Sequence, residues 1–70
     1  MNKVFYNQGS AANLGWTPDW FDCEKHGEKL IVAIEKFQKL HDITADGLCG
    51  PSTYRRIYNE RIANWEDHSP

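Results

Sequence analysis

Seventy residues make one domain at most, and a chain this short buries only roughly 60% of the surface its unfolded form exposes, which disfavours a deep catalytic cleft. Hydrophobic residues at 40%, including three Trp, three Tyr and three Phe, are enough for a compact core and exclude disorder of the whole chain. Eight Lys and Arg against ten Asp and Glu leave a net charge of -2, so there is no long-range pull on a polyanion; a binding module is expected, with nucleic acid disfavoured as its partner.

The opening stretch MNKVFYNQGSAAN has one Lys but no apolar run of the length a secretory signal or a membrane span needs, so no membrane partner is expected. Val4, Phe5 and Tyr6 form a short apolar cluster, and Asn7, Gln8, Gly9 and Ser10 are turn formers. Ser10 is expected to cap one or two helical turns that reach Leu14 and stop at Gly15. GWTPDWFD, Gly15 to Asp22, sets a Pro and two Asp among three large aromatics and reads as an ordered loop.

A helix is predicted over about residues 27 to 41. Leu30, Ile34, Phe37 and His41 recur at four, three and four residues, and Ile31, Ala33 and Leu40 widen the same stripe. Asp42 then suits the left-handed conformation that ends a helix, with Ile43 docking back into the core. Asp46-Gly47 reverses the chain, and Gly50-Pro51 reads as an N-cap followed by the first helical position. Tyr54, Ile57, Tyr58 and Ile62 carry a second helix to about Trp65. The tail EDHSP frays or links onward.

An internal echo ties these parts together. Asp22, Gly27, Leu30 and Ile34 stand to the first of these helices nearly as Asp46, Gly50, Thr53 and Ile57 stand to the second, with one extra residue between acid and glycine in the earlier copy. Two units of acidic turn, glycine and helix are implied, each too small to bury its own stripe. The acids read as turn formers whose carboxylates accept backbone N–H bonds, not as ligand groups.

Leu14 to Tyr58 resembles the small three-helix peptidoglycan-binding domain attached to cell-wall hydrolases, including many phage endolysins. AIEKFQ matches that family's helix ending in Phe-Gln, TADGLCGPSTY its Asp-Gly, Gly-Pro, Thr, aromatic signature, and GWTPDWFD its glycine, aromatic and acidic loop. The chain departs from the pattern in lacking a Leu-Gln pair in its first helix, in carrying Asp42 where glycine is common, and in having Asp22-Cys23 for an Asp-Gly pair. The resemblance implies an all-α fold of three helices joined by Asp-Gly loops. It also implies a non-catalytic module that tethers a wall hydrolase to glycan or stem peptide, monomeric and fused to a catalytic domain downstream. Such a protein would be made in the cytoplasm and act at the cell wall or periplasm.

The candidate ligand-binding residues are Trp16, Trp20, Tyr54 and Tyr58, whose rings can stack on sugar faces or acyl groups, together with Arg55, or its neighbour Arg56, for a carboxylate. Adjacent helical residues point about 100° apart, so only one of the two Arg can share a face with Tyr58. No cofactor or metal is expected: Cys23 and His26 make half of a zinc site, but His41 and Cys49 stand eight apart and supply no second half. Two cysteines are read as free thiols. No nucleophile or paired-carboxylate constellation stands out, so no catalytic residue is assigned. Two other classes remain: a helix-turn-helix DNA-binding protein using Ser52, Thr53, Arg55 and Arg56, and a protein-interaction domain on the same scaffold.

Overall fold

The structure is a computed structural model, and it describes residues 2–63. Among these the chain is all-helical, with α1 Lys3–Leu14, a single 3₁₀ turn Pro18–Phe21, α2 Glu28–Leu40, α3 Pro51–Ile57, and a π-helical turn Tyr58–Ala63 that continues α3. The expected end of the last helix near Trp65 falls outside the described residues.

The first helix is longer than its composition implies. It begins not at Ser10 but at Lys3, where the Asn2 side-chain oxygen accepts from the backbone N–H groups of Val4 and Phe5 at 2.9 and 3.3 Å. Asn7 to Ser10 lie within it. Their polarity suggested a turn, but two of the side chains are engaged elsewhere. Asn7, 1% exposed, donates through Nδ2 to the Gly47 carbonyl at 3.1 Å and accepts through Oδ1 from the Cys49 N–H at 2.9 Å. Ser10 donates to the Cys49 carbonyl. The helix ends at Gly15, whose φ of 90° is the left-handed cap that glycine adopts without strain. Gly9, exposed inside α1, has nothing within 4 Å of where a Cβ would sit. Gly9→Ala should therefore stabilise the protein by about 0.5–1 kcal/mol, seen as a rise of several degrees in Tm.

In α2 the buried face is Leu30, Ile34 and Gln38, with Ile31, Ala33 and Phe37 half-buried beside it. Leu40, expected on that stripe, is 82% exposed. Helical geometry explains the exchange: counted from Ile34, position 40 lies about 120° around the axis and position 38 only about 40°. The end of α2 is a Schellman motif. Asp42 takes φ 57°, Ile43 donates its N–H to Gln38 O at 2.8 Å, and Asp42 donates to Lys39 O at 3.3 Å.

The repeat seen in the sequence is present in three dimensions. Gly27 and Gly50 are the N-caps of α2 and α3, Pro51 is the first residue of α3, and Leu30, Ile34, Thr53 and Ile57 are all buried. The two acids differ, however. Asp46 Oδ1 accepts from the Leu48 N–H at 2.9 Å, an Asx turn, and from Gln38 Nε2 at 3.0 Å. Asp22 instead sits at φ 62° after the 3₁₀ turn and pairs its exposed carboxylate with Arg61 at 2.6 Å.

Ala11, Trp16, Phe21, Leu30, Ile34, Cys49 and Ile57 form the apolar core. Beside it lies a polar layer. Gln38 Nε2 is within 3.0–3.1 Å of Asp46 Oδ1, the Leu48 carbonyl and Thr53 Oγ1, and its Oε1 accepts from the Gly47 N–H at 2.9 Å. Gln38 and Asn7 thus grip the 46–49 segment from two helices. Burial pushes the Cys49 thiol up to about 12. Alkylation of Cys49 near pH 8 should therefore proceed only through unfolding, so that its rate tracks denaturant concentration in a mass-spectrometric time course.

Candidate functional site

Gly15 turns the chain sharply, and Thr17 leaves it extended so that Pro18 can open the 3₁₀ turn. Asp22 donates its N–H to Asp19 O at 3.0 Å and Cys23 to Pro18 O at 3.1 Å, which closes the turn on both sides of Trp20 and Phe21. Phe21 points into the core, where its ring meets Trp16 and Phe37 edge-on at 5.6 and 5.7 Å. Trp20 is half-buried and meets the last helix.

Three of the four rings expected to face ligand come together there. Tyr54 and Tyr58 are four residues apart, hence on one face, with centroids 6.0 Å apart. Trp20 stacks on Tyr54 at 5.6 Å with an interplanar angle of 22°, and lies 6.2 Å from Tyr58. Tyr58 is 37% exposed.

Trp16 requires a correction. It is 2% exposed and belongs to the core, so its ring cannot meet a ligand. The Gly15 turn folds it beneath the end of α1, where its indole N–H donates to Ser10 Oγ at 3.1 Å. Satisfying that polar tip internally is what allows so large a residue to be buried.

Next to the rings runs an open groove of about 480 Å³ lined by Leu14, Pro51, Tyr54, Arg55 and Tyr58. Pro51, Tyr54, Arg55 and Tyr58 follow the i, i+3, i+4, i+7 pattern of a single helix face, a spacing visible in the sequence that would have added Pro51 to the candidates. Leu14 arrives from α1 and has no such local signal. Arg55 shares this face with Tyr58. Arg56 lies outside it and lines an adjoining polar groove of about 470 Å³ with Ser52, Asn59 and Glu60, and with Pro51 and Arg55, which border both.

One ion pair and one longer polar contact tie down the π-helical turn that follows α3. Arg61 Nη2 meets Asp22 Oδ2 at 2.6 Å, joining the loop that carries Trp20 to the helix that carries the tyrosines, and Glu60 lies 3.9 Å from His41 Nδ1 at the end of α2. Because the ion pair is well exposed, Asp22→Asn should cost no more than about 0.5 kcal/mol in a urea titration.

Among the described residues no three His, Cys, Asp or Glu side chains are grouped to hold a metal ion. Cys23 and His26 precede α2, His41 follows it, and Cys49 is in the core; both cysteines are free thiols. No helix among the described residues is long and apolar enough to cross a membrane. Comparison with family models, with curated proteins and with solved structures finds no match to this chain.

Proposed function

We propose that this chain is a non-catalytic peptidoglycan-binding module, on a fold like that of the three-helix wall-binding domains, that anchors a wall hydrolase such as a phage endolysin to its polymer. The observation that carries the reading is the half-exposed cluster of Trp20, Tyr54 and Tyr58 beside Arg55, displayed by turns whose polar groups are otherwise engaged in holding the fold. The ordered motifs from GWTPDWFD through AIEKFQ to TADGLCGPSTY support it from the sequence side. Amphipathic rings offer apolar area to a sugar ring or an acyl group, and a guanidinium offers paired donors to a carboxylate. The mechanism is tethering: even millimolar affinity raises the local concentration of a linked active site on a polymer of many repeats.

Sedimentation with purified sacculi tests this. The wild-type chain should pellet, and Tyr58→Ala should lose most of that binding, about tenfold, while keeping its thermal midpoint within a few degrees, because this ring is the most exposed of the three. Trp20→Ala should lose binding too, with some stability. Failure of the wild type to pellet at any salt concentration would overturn the proposal, and salt-sensitive retention on duplex DNA would favour the helix-turn-helix alternative.

A further inference from the structure

We propose that the groove between the end of α1 and α3 binds the free C-terminal carboxylate of a stem peptide, with Arg55 as the carboxylate receptor and Leu14, Pro51 and Tyr58 as the apolar seat for the small side chains that precede it. This rests on the wall-binding reading and selects peptide over glycan.

Ring availability is the first ground. A sugar platform needs an uncovered aromatic face, yet Trp20 and Tyr54 lie stacked at 5.6 Å and 22°, so each covers a face of the other, and both are half-buried. Within this cluster the aromatic area left open is chiefly that of Tyr58.

Charge is the second. Of the five side chains lining the groove, Arg55 alone is charged; no carboxylate shares the lining, and Arg55 makes no ion pair among the described residues. An exposed guanidinium at the rim of an otherwise apolar groove complements a ligand with one carboxylate next to short apolar groups. The acetamido and hydroxyl groups of a glycan place no such charge. Arg56 does not line this groove; it lies only in the neighbouring polar one, which Arg55 borders as well and where Glu60 supplies a carboxylate.

Size is the third. About 480 Å³ lies within the range of small-ligand clefts and fits a terminal di- or tripeptide, whereas an extended glycan strand would have to run well beyond it.

The probes are acetyl-Lys-D-Ala-D-Ala as the free acid, the same peptide as its C-terminal amide, and a tetramer of N-acetylglucosamine, each titrated into the isotope-labelled chain and followed by backbone amide resonances. The free acid should shift Leu14, Tyr54, Arg55 and Tyr58, and the amide should bind about tenfold more weakly. Arg55→Gln should abolish the preference for acid over amide, Arg55→Lys should keep only part of it, and Arg56→Gln should leave it intact; spectral dispersion verifies folding of each. Equal binding of acid and amide, or a stronger response of these residues to the tetramer, would overturn the inference. If sacculi pellet the chain but the free acid does not bind, the peptide assignment fails and wall binding stands. If the free acid binds but sacculi do not pellet the chain, the groove chemistry stands and wall binding fails.

Discussion

Replacing Gln38 with leucine should cost about 3–5 kcal/mol and move the urea midpoint by more than 1 M, the largest effect of any single side chain on the polar side of this core. The side chain is 1% exposed and uses both ends of its amide: Nε2 faces Asp46 Oδ1, the Leu48 carbonyl and Thr53 Oγ1, and Oε1 receives the Gly47 N–H. Leucine matches the volume but satisfies none of these groups. The Gly47 N–H and the Thr53 hydroxyl would stay buried without their partner, each at about 1–3 kcal/mol. A chain of this size has roughly 4–10 kcal/mol of stability in all, so the variant should be partly unfolded at ambient temperature. Gln38→Glu discriminates between shape and hydrogen bonding. It keeps the acceptor for Gly47 but sets a second carboxylate against Asp46, so burial and like charge raise its folded pKa above the ordinary carboxylate value. The destabilisation should be full near pH 7 and should diminish as the pH falls through that raised value, because only then does the group become neutral and able to donate. A midpoint for Gln38→Leu within 0.5 M of wild type would show that the amide network contributes little.

The same network shows what the sequence could and could not reveal. α2 and α3 were legible because Leu30, Ile34, Tyr54 and Ile57 repeat at helical spacing, and because Gly50-Pro51 and Asp42 carry their own backbone preferences. α1 was not, since the residues that face inward from it include Asn7 and Ser10, whose polarity reads locally as a turn. Their place in a helix depends on bonds to Gly47 and Cys49, about forty residues away, which no local pattern encodes. Gln38 takes the place expected of Leu40 on the stripe for a related reason: position 38 lies on the face by angle, but a pattern of apolar residues does not include a glutamine. At the candidate site, the proximity of Tyr54, Arg55 and Tyr58 is legible because they lie three and four residues apart on one helix, whereas the packing of Trp20 against them depends on the fold. Trp16 looks identical in composition to Trp20, and only the direction taken at Gly15 sends one ring inward and leaves the other at the surface.

The second large effect is expected at the centre of the loop that this network holds. Gly47→Ala should lower stability by about 2–4 kcal/mol, opposite in sign to the same substitution at Gly9. Two costs combine. Gly47 has φ 74°, where an L side chain is strained by about 1–2 kcal/mol. In addition its Cβ would stand 2.7 Å from Ile31 Cγ2 and 3.2–3.3 Å from Glu35 atoms, so the loop and α2 would have to separate. They cannot separate freely, because Gly47 is bonded through its N–H to Gln38 and through its carbonyl to Asn7. Gly47→Asn tells the two costs apart: asparagine tolerates positive φ but brings the same Cβ, so it should recover little if the collision dominates. A double-mutant cycle with Ile31→Ala is the stricter measurement. Removing the branch that the new Cβ meets should make Gly47→Ala at least 1 kcal/mol less harmful in the Ile31→Ala background than in the wild type. Strictly additive losses would assign the whole effect to backbone strain and would mean that loop and helix are less tightly held than Asn7 and Gln38 imply.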